Sequence, residues 1–122
     1  MNKNDVLYAP THEWIFVEGN RAKVGISSYA AMHLGDIVFF DLPKVGKTFK
    51  KGEVFAAVES VKSASDIYLP VSGTVVSVNE KLSSEPQLVG EDPFNEFIVE
   101  IELSNPSDLS DLLDVNAYEA TL

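Results

Sequence analysis

Lys62 is where this sequence offers chemistry most plainly. It stands in Glu59-Ser60-Val61-Lys62-Ser63-Ala64-Ser65-Asp66. Val54-Phe55-Ala56-Ala57-Val58 precedes that segment, and Ile67-Tyr68-Leu69-Pro70 and Val71-Ser72-Gly73-Thr74-Val75-Val76 follow it. Short apolar, β-prone runs bounded by small polar residues read as strands joined by a tight connection. A lysine in that connection projects away from the sheet into water, where a modifying enzyme can reach it and leave it carrying a group. An ordinary solvated turn lysine fits the same spacing, so the pattern alone leaves both readings open.

Other residues offer less. The two histidines, His12 and His33, are not at a metal-helix spacing, and neither H-x-x-x-H nor H-E-x-x-H occurs. G-x-S-x-G, the P-loop and G-x-G-x-x-G are likewise missing. Without cysteine there is no disulfide, no thiolate catalysis and no cysteine metal site. With 19 acidic residues among 122, any pair of carboxylates is unremarkable. The expectation is a protein that presents a group to enzymes, with no catalytic residue and no metal site of its own.

The elements that must position Lys62 can be followed along the chain. Ile15-Phe16-Val17 and Ala22-Lys23-Val24-Gly25-Ile26 flank Glu18-Gly19-Asn20-Arg21, which predicts a β-hairpin. Ser27-Ser28 caps a short helix, Tyr29 to Leu34, and Gly35 ends it. Asp36 to Leu42 reads as a strand stopped by Pro43, and Gly46 and Gly52 frame a short extended piece. Val75 to Val78 continues the second strand beyond Lys62, so the whole hairpin spans about 54–78. Short helical turns or loops are expected at Asn79 to Leu82 and Glu85 to Val89, and a last strand at Phe97 to Leu103. Leu109, Leu112 and Leu113 follow a capping residue at helical spacing, with acidic residues near the N-terminus, and a short second helix is expected around Val115 to Ala120, so that the C-terminal helical segment covers about 106–120. Many short strands with small helices at the edges favour a mainly β barrel or sandwich.

Length fits a single domain over 1–122. The net charge of −10 opposes binding to nucleic acid and favours solubility and encounters with basic partner surfaces. No stretch approaches the roughly 18 apolar residues of a membrane span. Met1-Asn2-Lys3-Asn4-Asp5 lacks the layout of a signal or transit peptide, so a cytoplasmic monomer without membrane contact is expected.

The segment Glu59 to Gly73 closely resembles the lipoyl-attachment motif of the glycine cleavage system H-protein family. The likeness extends to Tyr8-Ala9-Pro10-Thr11-His12-Glu13-Trp14, Val24-Gly25-Ile26, Leu34-Gly35-Asp36-Ile37-Val38-Phe39, Leu42-Pro43, Val45-Gly46 and Lys51-Gly52-Glu53. It continues through Asn105-Pro106-Ser107-Asp108-Leu109 and Tyr118-Glu119-Ala120. Several separated motifs in the right order are far more specific than one.

That resemblance implies a hybrid barrel-sandwich fold, mainly β, with Lys62 at a hairpin tip and a C-terminal helix on the body. It implies lipoic acid amide-linked to Lys62, supplying the redox sulfurs the chain lacks. It further implies a carrier of the aminomethyl group of glycine. Such a carrier serves in turn a pyridoxal-phosphate glycine decarboxylase (P protein), a tetrahydrofolate-dependent aminomethyltransferase (T protein) and dihydrolipoyl dehydrogenase (L protein). A lipoate-attaching enzyme is the fourth partner, reading Glu59, Ser60, Val61 and Asp66 around the lysine. Glu13, His33 and Asp66 match the family positions that surround the arm when it folds back, although turn caps at Glu13 and Asp66 and a helix end at His33 fit the same residues. A biotin carrier would show methionines where Val61 and Ser63 stand.

The match weakens at Asp92-Pro93-Phe94-Asn95-Glu96-Phe97-Ile98-Val99, which runs one residue short. Phe97 stands near a usual tryptophan, and a glycine is dropped. Glu100 and Glu102 occupy a strand that is often basic. A second reading follows from this: an H-like relay or reservoir that supplies lipoyl groups to other lipoyl-dependent complexes.

Overall fold

The computed structural model describes residues 1–122. Nine strands form in chain order: β1 Leu7–Tyr8, β2 Glu13–Glu18, β3 Arg21–Ile26, β4 Ile37–Asp41, β5 Thr48–Phe49, β6 Val54–Ser60, β7 Ala64–Tyr68, β8 Gly73–Val78 and β9 Val99–Leu103. Four short helices accompany them: α1 Ser28–Leu34, α2 Lys81–Ser84, α3 Leu88–Glu91 and α4 Val115–Glu119. The strands make a six-stranded sheet in the order β1-β2-β3-β9-β8-β5 and a three-stranded sheet, β4-β6-β7. Neither sheet closes into a barrel, and the expected mainly β architecture holds.

Alternation builds the shared core. Along β9, Val99, Ile101 and Leu103 are buried while Glu102 faces water. These residues join Ile15, Val24, Val58, Ile67 and Val75 in one cluster drawn from both sheets. Each buried aliphatic side chain contributes about 1.5–3 kcal/mol. Glu100 and Glu102 stand opposite Lys23 and Arg21 in the β3–β9 register, which places acid across from base on the outer face.

Several local expectations hold closely. Ser27 Oγ caps α1 by accepting from Ala30 N, and Gly35 ends the helix at φ 72°. The β2–β3 hairpin turns at Gly19, with φ 62°.

Two expectations need correction. The segment 54–78 is not one hairpin. The β6–β7 pair ends at Tyr68, and β8 belongs to the other sheet, between β9 and β5. Pro70 has no N–H to continue a ladder, so the buried stretch Leu69-Pro70-Val71 carries the chain from one sheet to the other. In the C-terminal segment 106–120 the second helix stands where it is expected, but the first piece is not an α-helix. Pro106–Asp111 is a 3-10 turn, Leu112 is extended, and α4 begins only at Val115. Leu113 and Tyr8 exchange backbone hydrogen bonds of 2.8 Å each way, which holds the chain extended between the two pieces. Asp114 caps α4 with its side chain, accepting from Ala117 N at 2.8 Å.

Phe97 is half-buried, with the Lys23 ammonium 5.2 Å from its ring centre. No residue from 92 to 98 adopts a positive φ, so the turn forms without a glycine. No helix is long and apolar enough to cross a membrane.

Candidate functional site

Lys62 occupies the turn between β6 and β7. This turn is shorter than the polar sequence suggested, because Ala64, Ser65 and Asp66 pair with Glu59, Val58 and Ala57. Cross-strand pairing overrides their weak β-propensity. The turn is closed by Ser60. Its N–H donates to Ser63 O at 2.7 Å, its hydroxyl donates to the same carbonyl at 3.1 Å, and its Oγ accepts from Ser63 N at 3.2 Å. Val61 N–H donates to Asp36 O at 2.9 Å, which ties the turn to the start of β4. The Val61 side chain is 74% exposed.

Lys62 is itself exposed, and its ammonium takes part in none of the three ion pairs of the chain. Its stem passes over Gly35, where a Cβ would lie 4.0 Å from Lys62 Cε. An exposed, unpaired amine on a fixed turn is well placed for acylation. No backbone rearrangement is needed to reach it.

Next to the turn lies a cleft of about 420 Å³, running from Ser63 to Thr11. Glu13, His33 and Asp66, the three residues expected around a folded-back arm, all line it. Ile26, Leu34, Val58 and Ile67 supply apolar wall. Glu13 is only 3% exposed. Its carboxylate accepts from the Thr11 hydroxyl and, at 3.2 Å, from Tyr68 N–H. Burial pushes its pKa up to about 7, against the lowering effect of these hydrogen bonds. The cleft thus holds a carboxyl that a cation would favour in its ionised form.

His33 is exposed in the last turn of α1, its ring 4.2 Å from that of Tyr29. Asp66 stands at the rim, because the register puts it on the same face of the sheet as Ala57 and Glu59. It also borders a larger hollow of about 540 Å³, lined by Leu42, Lys44, Lys47 and Phe55, which neither Glu13 nor either histidine reaches. Glu59 is exposed, one step from the turn, while Ser60 is buried and acts on the turn's shape.

Sequence reasoning missed His12, Thr11 and Tyr29. His12 lines the cleft with a positive φ of 82°, its ring 4.9 Å from Tyr29. Burial lowers its pKa, and the nearby His33 lowers it further. The run Thr11-His12-Glu13, three polar residues ahead of a buried tryptophan, was the available signal.

The model of the family described as glycine cleavage H-protein matches residues 6–122. The chain belongs to the glycine cleavage H-protein family. It is 53% identical over 117 residues to the glycine cleavage system H protein of Symbiobacterium thermophilum, a match covering 95% of this chain and 91% of that one. The H protein of Thermotoga maritima is 50% identical over 113 residues, covering 92% and 91%. The crystal structure of a glycine cleavage system H protein from Mycobacterium marinum superposes with a TM-score of 0.88 at 34% identity, covering 96% of this chain and 95% of that one. Membership of the H-protein family agrees with the resemblance read from the sequence.

Proposed function

We propose that this protein is the lipoyl-bearing carrier of a glycine cleavage system, with residues 1–122 as one carrier domain and Lys62 as the attachment residue. The observation that carries the reading is the exposed, unpaired Lys62 amine on a clamped turn, in a chain of the H-protein family. When attached, the lipoyl group supplies a dithiolane for electron and aminomethyl transfer, chemistry that a cysteine-free chain lacks.

The chain's own residues do the rest. Ser60 and Ser63 fix the turn, while Glu59, Val61 and Asp66 present charge and apolar surface to the attaching enzyme. Glu13 offers a buried carboxylate to a cationic amine, and His33 and Asp66 border its way in. The protein is not itself an enzyme. It serves the P, T and L proteins in turn as a cytoplasmic monomer. Tethering a group to one residue keeps it at high effective concentration near whichever enzyme is docked.

The test is the intact mass of protein purified from its native host, with peptide mapping across Lys62. A lipoyl-sized increment on Lys62 is expected. Its absence in cells that lipoylate other proteins would refute the reading.

The shortened 92–98 segment, and Glu100 and Glu102 in a strand that is often basic, favour a second reading, the relay or reservoir. Turnover with the decarboxylase and aminomethyltransferase, set against lipoyl transfer to a 2-oxoacid dehydrogenase domain, separates the two.

A further inference from the structure

One polar chain joins the far C-terminus to the cleft. The Tyr118 hydroxyl, in α4, lies 2.7 Å from His12 Nδ1 and 2.8 Å from Ser27 Oγ. Ser27 Oγ also accepts from Ala30 N at 3.2 Å. A consistent set of protons has Ser27 donating to Tyr118 and Tyr118 donating to a neutral His12. Tyr118 is buried and stacks on Tyr8, with ring centres 4.2 Å apart and planes within 4°. Leu113 bridges to the same Tyr8 through the backbone. The C-terminal segment is thus pinned to β1 at two points, with its hydroxyl aimed at the loop before β2.

His12 is the chain's one non-glycine residue with a positive φ. Histidine visits that region more readily than most residues, but a side chain there still needs support from its surroundings. The His12 ring supplies it through Tyr118, and in that position it extends a row of rings, His12, Tyr29 and His33, along the cleft beside Glu13.

We propose that Tyr118 is a positioning residue for the carrier's cleft: its hydroxyl holds His12 in its left-handed turn, and His12 in turn sets the ring wall that shields whatever occupies the cleft beside Glu13. The proposal rests on the carrier reading of Lys62. It assigns to the C-terminal helix a part in retaining the carried group, in addition to its part in stability.

The test uses Tyr118→Phe, which removes the hydroxyl and keeps the ring on Tyr8. Tyr8 and His12 are untouched, so the fold is expected to persist. In unmodified protein, the ¹⁵N signal of His12 Nδ1 should move, and the ring resonances of Tyr29 and His33 should shift with it. In protein modified at Lys62 and loaded with the aminomethyl group, formaldehyde release should be about fivefold faster, the factor expected for losing one neutral hydrogen bond. His12→Gly, which suits the positive φ, should give the same acceleration. The double variant should be no faster than His12→Gly alone, because both changes break one coupling. Unshifted Tyr29 and His33 rings in Tyr118→Phe, or additive effects in the double variant, would overturn the proposal. A wild-type chain that carries nothing on Lys62 would refute the carrier reading instead, while the ring resonances of unmodified protein still judge the wall.

Discussion

Trp14 fills the space over Gly25, its cross-strand partner in the β2–β3 hairpin: a Cβ at Gly25 would fall 2.5 Å from Trp14 Cζ2. Trp14 is fully buried, and its indole N–H donates to Pro93 O at 2.9 Å. The indole therefore joins the hairpin to the segment before β9, and it can do so only over a residue without a side chain. Gly25→Ala forces Trp14 away from that carbonyl. The expected cost is about 1–3 kcal/mol, typical of overpacking. It should appear as a lower urea midpoint with an unchanged slope. A variant as stable as the wild type would show that the indole has room to move.

Lys62→Arg keeps the charge and removes the acylatable amine, since guanidinium stays protonated. The modified mass should disappear entirely. The side chain is exposed and unpaired, so stability should stay within about 0.5 kcal/mol. Intact mass and thermal melting, measured on the same sample, check both halves. Modification elsewhere on the chain would count against Lys62 as the attachment residue.

Glu13 makes stability depend on pH in a direction opposite to that of a salt-bridged acid. Burial raises its pKa from 4.5 to about 7, so between these values the folded protein holds a proton that the unfolded chain has released. Stability from this group is complete below the unfolded value and is lost as pH rises through the folded one. The loss is on the order of 3 kcal/mol. Glu13→Gln cannot titrate. Between pH 5 and pH 8 the wild type should lose stability relative to the Gln variant. A urea midpoint difference between wild type and the Gln variant that is the same at the two pH values would contradict the burial argument.

Asp114 is the side-chain cap of α4. Asp114→Ala should cost about 1 kcal/mol and speed hydrogen exchange at Ala117 N–H, the capped amide. Exchange at Val24 and Ile101, in the main core, should slow or quicken only with global stability. Faster exchange at all three sites by one common factor would mean that α4 does not open on its own.

Much of the fold was legible because local signals agreed with one another. Ser27 and Gly35 bracket α1 as a cap and a stop, and Gly19 turns the first hairpin. The failures came where long-range pairing decided. Ala64-Ser65-Asp66 looks like loop by residue type, yet β6 recruits it as strand. Leu109, Leu112 and Leu113 have helical spacing, and Leu109 and Leu112 do pack on the core, but the Tyr8 bridge to Leu113 interrupts the helix. The candidate site was half legible. Lys62, Glu13, His33 and Asp66 sit in recognisable motifs. His12 is held by Tyr118 across 106 positions of sequence, and no local pattern announces such a pair.

The Ser60–Ser63 clamp and the Val61 tie to Asp36 make the tip of the hairpin a fixed post and not a hinge. On the carrier reading of Lys62, all reach must then come from the rotatable bonds beyond its Cα. The volume swept is anchored to the body, and an enzyme has to bring its own pocket to within that radius. One post serves one visitor at a time. For a carrier of this build, throughput is a matter of traffic: a visitor that lingers blocks the next, and how quickly each departs sets the pace of the cycle as much as how tightly it binds.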